Sequence, residues 1–315
     1  MSWPERVTFS GHETFTFRYG WLKKGVEAVL EDPGIFNRED ATTRLGVGKN
    51  MVKSIRHWCL SLGLIEESGT GLRVSEWGRT LLLDEDKKGR KALDPYLEDP
   101  ASLWFLHWNL VSRMDSPTTW YFAFNKLKGF EFSKRQVVQA LTHVCDVHGN
   151  GRSTANTIKR DVDCFIRTYV GSPGRGKVLE ESLDCPLVEL DLLHALEDGE
   201  TFRFASRPNG TLTDGVLAWC IADYWNRRRD RQGTLPVEEI CYGEGAPGRA
   251  FRLSESDLLN RVERIGRTWH QYFQFVDTAG LKQLMRHKPL EEALQVLLRD
   301  AFLSLRDEDA LEQAA

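Results

Sequence analysis

Apolar residues early in the chain recur at helical spacing. Leu22, Val26, Val29 and Leu30 within WLKKGVEAVLED predict a helix, which Asp32-Pro33-Gly34 would stop. NREDATTRLGV predicts a short second helix capped by Asn37, with Glu39 and Asp40 in its first turn and Gly46 at its end. GKNMVKSIRHWCLSLGLI predicts a third, with Val52, Ile55, Cys59 and Leu62 on its inner face. EESGTGLRVSEWGRTLL then changes to a Gly-rich turn leading into a short strand. Helix, helix, turn, helix and hairpin is the order of a winged helix-turn-helix unit.

Similar patterns recur downstream. FSKRQVVQALTHVCDVH predicts an amphipathic helix capped by Ser133. Beyond the flexible HGNGR connector, STANTIKRDVDCFIRTYV predicts another, with Ile158, Val162, Phe165, Ile166 and Tyr169 on one side. Between the two units, LDPYLEDPASLWFLHWNLVSRM contains a strongly apolar helix in which His107 reads as a satisfied core residue. Further on, TDGVLAWCIADYWNRR, LPVEEICYG and SESDLLNRVERIG predict helices, and WHQYFQFVDTAGLKQL a strand and turn. This region could form a third winged unit, but its reading helix would open on Ser254-Glu255-Ser256-Asp257, whose charge repels phosphate, so a scaffold or dimerisation role is favoured.

The expected fold is mainly α with short β hairpins, comprising tandem winged helix-turn-helix units and a helical C-terminal domain. The expected divisions are 9–90 for the first unit, 91–125 for a helical linker, 126–207 for the second unit, 208–302 for the C-terminal domain and 303–315 for a flexible tail.

The 315-residue chain is 41% hydrophobic and 28% charged, a composition expected of a soluble globular protein, and neither a membrane span nor a signal peptide is evident. A cytoplasmic location is expected. The six cysteines include no CxxC pair, and most fall in apolar patterns, as buried free thiols do. A net charge of −4 conceals an uneven distribution: Lys126 to Lys177 holds ten Lys/Arg against four Asp/Glu, whereas Val178 to Glu200 holds eight acidic residues and no Lys or Arg. One surface could therefore face a polyanion.

The outward positions of the two reading helices fit that role. Lys49, Asn50, Lys53 and Arg56 lie along one face of the first, and Arg152, Thr154, Asn156, Lys159 and Arg160 belong to the second. The run NRRRDR at 226–231 could add phosphate contacts. In the opening stretch FSGHETFTFRYGWLKKG, the alternation of Phe15, Phe17, Tyr19 and Trp21 predicts a strand packed on one face. Arg18, Lys23 and Lys24 are then left for phosphates.

No Walker motif, no GxGxxG following a strand, no GxSxG elbow and no HExxH is found, so ATP hydrolysis, dinucleotide redox chemistry and zinc proteolysis have no support. Phosphodiester cleavage needs only carboxylates for a metal and a base for water. His12 and Glu13 are the catalytic candidates. His143, Asp146, His148, Asn150 and Asn156 form a looser collection, and Asp161 is expected to pair with a neighbouring Arg or Lys.

SGHETFTFRYGWLKKG, STANTIKRDVDCFIRTY and FVDTAGLKQL, in that order, resemble the SspB-like family of bacterial DNA phosphorothioation proteins, encoded in defence islands and long classed as a domain of unknown function. The resemblance extends from about residue 9 to 290. It implies a double-stranded DNA substrate, partners that include a cysteine desulfurase, an ATPase and a sulfur-transfer enzyme, and nicking of one strand for sulfur incorporation. A nickase would use a divalent metal, Mg²⁺ or Mn²⁺, unless a covalent nucleophile such as Tyr19 or Tyr169 served. The alternatives are a non-catalytic DNA-binding adaptor that recruits the modification enzymes and a protein-interaction scaffold. Homodimer formation stays open.

Overall fold

The structure, a computed structural model, describes residues 7–312 apart from 70, 85–88, 90, 116, 149–152, 172–184, 207, 209 and 229–231; side chains are described up to residue 302. It is mainly helical, with one two-stranded and two three-stranded antiparallel sheets among the described residues.

The first unit contains α1 (Tyr19–Glu31), a 3₁₀ turn (Ile35–Asn37), α2 (Ala41–Leu45), α3 (Lys49–Ser61) and a hairpin of β1 (Ile65–Ser68) and β2 (Gly71–Val74). Leu22, Val26, Val29, Val52, Ile55, Cys59 and Leu62 are buried as the periodicity predicts, together with Trp58. Leu30 is exposed instead. Asn37 does not cap α2: burial of Ile35 draws this segment into the 3₁₀ turn, and α2 begins four residues later, after Asp40. Gly46 does end α2, at φ 64°. The Leu72 N–H donates to the Pro33 carbonyl (3.0 Å), so Pro33 lies against the hairpin as a third strand would. Gly71 has φ 141°, and a Cβ there would stand 2.9 Å from that carbonyl oxygen, so this approach requires glycine.

The expected strand at Phe15 to Trp21 does not form. Ser10, Glu13 and Thr14 hold positive φ (67°, 48° and 68°), which turns the chain too sharply for extended pairing, and α1 already begins at Tyr19. Phe17 and Trp21 are buried, Phe15 is half-buried and Tyr19 is exposed.

Next come α4 (Glu76–Leu82), α5 (Pro100–Val111) and α6 (Thr118–Asn125). In α5 every residue from Ala101 to Val111 except Asn109 is buried, and α6 is buried throughout, so these helices lie inside the core. His107 is a satisfied core residue: Nε2–H donates to the Ala250 carbonyl (2.8 Å), and Nδ1 accepts from the Tyr169 hydroxyl (2.9 Å).

The second unit runs β3 (Glu131–Ser133), α7 (Lys134–His148), α8 (Ala155–Tyr169), β4 (Leu193–Ala195) and β5 (Thr201–Phe204), with sheet order β3-β5-β4. A 3₁₀ turn at Pro186–Leu190 precedes β4. The region expected to be a helical domain has the same arrangement. After α9 (Asp214–Arg227) come β6 (Thr234–Pro236), α10 (Val237–Tyr242), α11 (Pro247–Ala250), α12 (Glu255–Thr268), β7 (Phe273–Thr278) and β8 (Leu281–Arg286), with sheet order β6-β8-β7. In both sheets the strand before the helices pairs with the last strand of the hairpin. Finally α13 (Leu290–Glu312) packs on α9 and extends through most of the segment expected to be a tail. One contiguous hydrophobic core runs from Phe17 to Phe302 across all three units. No helix among the described residues is long and apolar enough to cross a membrane.

Candidate nucleic-acid interface

The helix after the turn in each unit positions the candidate reading residues. Lys49, Asn50 and Lys53 are exposed on the first half of α3. Lys53 pairs with Glu13 (3.0 Å), and half-buried Arg56 reaches across to Glu67 on the hairpin (3.4 Å). On α8 the Thr154 hydroxyl caps the helix by accepting from the Thr157 N–H (3.2 Å), while Asn156, Lys159 and Arg160 are exposed. Neither Lys159 nor Arg160 has a hydrogen bond or ion pair among the described residues. Arg152 lies outside the described residues.

The other basic candidates are engaged elsewhere. Lys24 donates to the Leu45 carbonyl (2.9 Å) at the C-terminus of α2, where a cation opposes the helix dipole. Lys23 lies beside Glu27 (3.9 Å) and over the Tyr96 ring (4.2 Å), and Arg18 is over Trp21 (5.1 Å). In the NRRRDR run, Arg227 binds Asp223 (3.1 Å) and the Ser112 carbonyl (3.0 Å), and Arg228 binds Glu239. These two arginines hold α9 in place instead of facing a ligand; residues 229–231 lie outside the described residues. On α12 the first turn carries Glu255 and Asp257, and Arg261 and Arg264 both bind Asp214. The third unit therefore presents acid where α3 and α8 present base.

The sharp turn in the opening stretch separates His12 from Glu13. His12 is 1% exposed, and its Nε2–H donates to Asp161 Oδ1 (2.8 Å), while Nδ1 accepts from the Thr14 N–H (3.0 Å). Glu13 points outward to Lys53. Asp161, also 1% exposed, accepts in addition from the Ser10 N–H (2.7 Å) and the Thr119 hydroxyl (2.5 Å). The expected Arg or Lys partner of Asp161 is thus replaced by His12 and two neutral donors, because the residue faces the core; Asp163 pairs with Lys134 (3.2 Å). Trp58 of α3 and Trp120 of α6 flank His12, at 6.1 and 5.8 Å between ring centroids. Beside it, burial pushes the His57 imidazole down to about 3, with His12 and Arg56 adding to the effect. Gly11 leaves the room His57 occupies, since a Cβ there would collide with the imidazole.

Sequence reasoning missed Asp161 as the centre of this cluster. A signal existed: position 161 falls between Ile158 and Phe165 on the apolar side of α8, where an aspartate must find buried donors. Its partners, from 42 to 151 residues away, left no local trace.

The family described as a protein of unknown function, DUF4007, matches residues 9–302. The chain belongs to that family. No curated protein matches. Among solved structures, the DUF4007 chain is similar to SspB in two crystal structures, one of them with a magnesium ion bound. In each, the TM-score is 0.83 and the identity 29%, covering 95% of this chain and 89% of the other. The SspB-like resemblance is therefore correct. Within the DUF4007 chain, no three His, Cys, Asp or Glu residues among those described group as a metal site. The expected collection of His143, Asp146, His148, Asn150 and Asn156 does not assemble one, and Asn150 lies outside the described residues. No step through a divalent ion is derived for this chain.

Proposed function

We propose that the protein is the DNA-binding component of a bacterial DNA phosphorothioation system and nicks one strand of duplex DNA to admit sulfur. The exposed Lys159 and Arg160 on α8, unpaired among the described residues, carry the DNA-binding part of this reading. Lys49, Asn50 and Lys53 lie on α3, which like α8 is the last α-helix before its unit's hairpin. Read as winged helices, the units would lay α3 and α8 against the major groove, where Lys and Arg contact phosphates and base edges, with each hairpin beside the backbone. Likeness to SspB supports the phosphorothioation setting, and with it partnership with a cysteine desulfurase, an ATPase and a sulfur-transfer enzyme. Strand nicking rests on that likeness.

One observation favours a second reading, a non-catalytic adaptor that recruits the modification enzymes. Both ring nitrogens of buried His12 are already bonded, which leaves that candidate base unable to take a proton from water.

Purified protein incubated with supercoiled plasmid separates the two readings. A nickase converts it to open circles with Mg²⁺ or Mn²⁺ and stops in EDTA; an adaptor yields a salt-dependent gel shift and no open circles. Charge reversal of Lys159 plus Arg160, or of Lys49 plus Lys53, should weaken duplex binding about tenfold or more and lower the salt slope by about one for each phosphate no longer neutralised. Salt-independent binding, or wild-type affinity in both double variants, would refute DNA reading by these helices.

A further inference from the structure

The loop at residues 10–14 joins the two basic helices, although neither helix packs extensively on the other. At one end the Ser10 N–H and the His12 imidazole bond Asp161, the residue directly after Lys159 and Arg160 on α8. Three residues beyond Ser10, Glu13 bonds Lys53 on the outer face of α3. That interval spans at most roughly 11 Å of backbone, so Lys53 and the Arg160 end of α8 are held well within one duplex turn of about 34 Å. The loop is held from further sides. Arg167 of α8 donates to the Thr14 carbonyl (2.7 Å), and the Trp58 indole N–H of α3 donates to the Phe15 carbonyl (2.9 Å). The Thr119 hydroxyl of α6 completes the coordination of Asp161. Three residues at positive φ store local strain here, and such conformations persist only when the surroundings over-determine them.

We infer that Asp161 and loop 10–14 form a clasp that fixes α3 and α8 at one relative orientation, so that the two helices engage a single duplex as a preorganised pair. Asp161 and His12 are then positioning residues: buried away from DNA, they act through the exposed cations on either side. This inference rests on the proposed DNA-binding reading. Preorganisation raises affinity because the orientation of the second helix is already set when the first one binds. Asp161 suits the role because a buried carboxylate with three donors is held by all of them together, and losing it would leave those donors unsatisfied.

The test uses the full chain with spin labels on cysteines introduced at exposed Asn50 and Asn156; the six native cysteines are buried. The wild-type background should give one narrow inter-label distance, and D161A a distribution at least about twice as wide, since α8 then swings on its remaining contacts. D161N, which keeps an acceptor oxygen for Ser10 and His12, should restore the narrow distribution. Duplex binding by D161A should show the reduced salt slope of a K159Q/R160Q variant, and combining all three changes should reduce it no further. A D161A distribution as narrow as wild type overturns the clasp, as does a broadened distribution with an unchanged salt slope. Should D161A fail to fold, R167Q, at an exposed position, is read against the same outcomes. If the wild type binds no DNA, the proposed function fails, while the distance measurement, which needs no DNA, still decides whether the clasp holds the helices.

Discussion

His107 shows how a single residue couples this fold to pH. It sits wholly inside α5, with Nε2–H given to Ala250 and Nδ1 taken by Tyr169, and burial pushes its imidazole down to about 4. An unfolded histidine titrates near 6.5. Between these values the unfolded chain binds the proton that the folded chain refuses, so stability rises with pH. The contribution is full above about pH 6.5 and is lost as pH falls towards 4, on the order of 3 kcal/mol in all. Urea unfolding at pH 6 and pH 5 should therefore show wild type losing about 1.2 kcal/mol more than H107Q over that unit. Equal losses would mean that His107 is protonated in the native state. The residue's core position was legible from its apolar neighbours. Its partners were not, because Tyr169 and Ala250 lie 62 and 143 residues away.

Local chemistry explains where several helices begin. Ser133 and Gln136 form a reciprocal capping box at α7: the Ser133 N–H donates to Gln136 Oε1 (2.8 Å), and the Gln136 N–H donates to Ser133 Oγ (3.2 Å). Thr213 and Ser254 cap α9 and α12 in the simpler way. Ser75 does more at α4, accepting from the Gly78 N–H (2.9 Å) while its hydroxyl donates to the Gly63 carbonyl (2.6 Å), so it ties the helix start to the end of the preceding unit's α3 turn. S75A should lower unfolding free energy by about 1–2 kcal/mol, measured as a shift in urea midpoint at unchanged m. At this scale the sequence was readable wherever a cap or an apolar stripe lay within one helix, as in α3, α7, α8 and α12. It misled at residues 15–21, where alternating aromatics imitate a strand. The positive-φ residues that precede them are stabilised by bonds to α8 that no local pattern encodes.

Across the whole molecule, the continuous core makes the units interdependent. Trp58, Trp120 and Phe165 connect α3, α6 and α8 through ring contacts of 5.5 and 5.8 Å, and Phe105 of α5 touches both Trp219 of α9 and Phe302 of α13. Equilibrium unfolding should accordingly follow one transition, with tryptophan fluorescence and far-UV circular dichroism coincident in urea. Two separated midpoints would show that a unit folds alone. The apolar periodicity, the cap residues and the turn glycines were sufficient for α1, α3, α7, α8, α9 and α12, for the first hairpin and for the basic character of α3 and α8, because each depends on neighbours within a few residues. Which cations remain free, where His12 goes, and the recurrence of the sheet order in the third unit were decided only by folding. Lys24, Arg227 and Arg228 look as available in sequence as Lys159 and Arg160. What distinguishes them is whether packing brings a carbonyl, a carboxylate or water to the charged end, and that depends on segments far away in the chain.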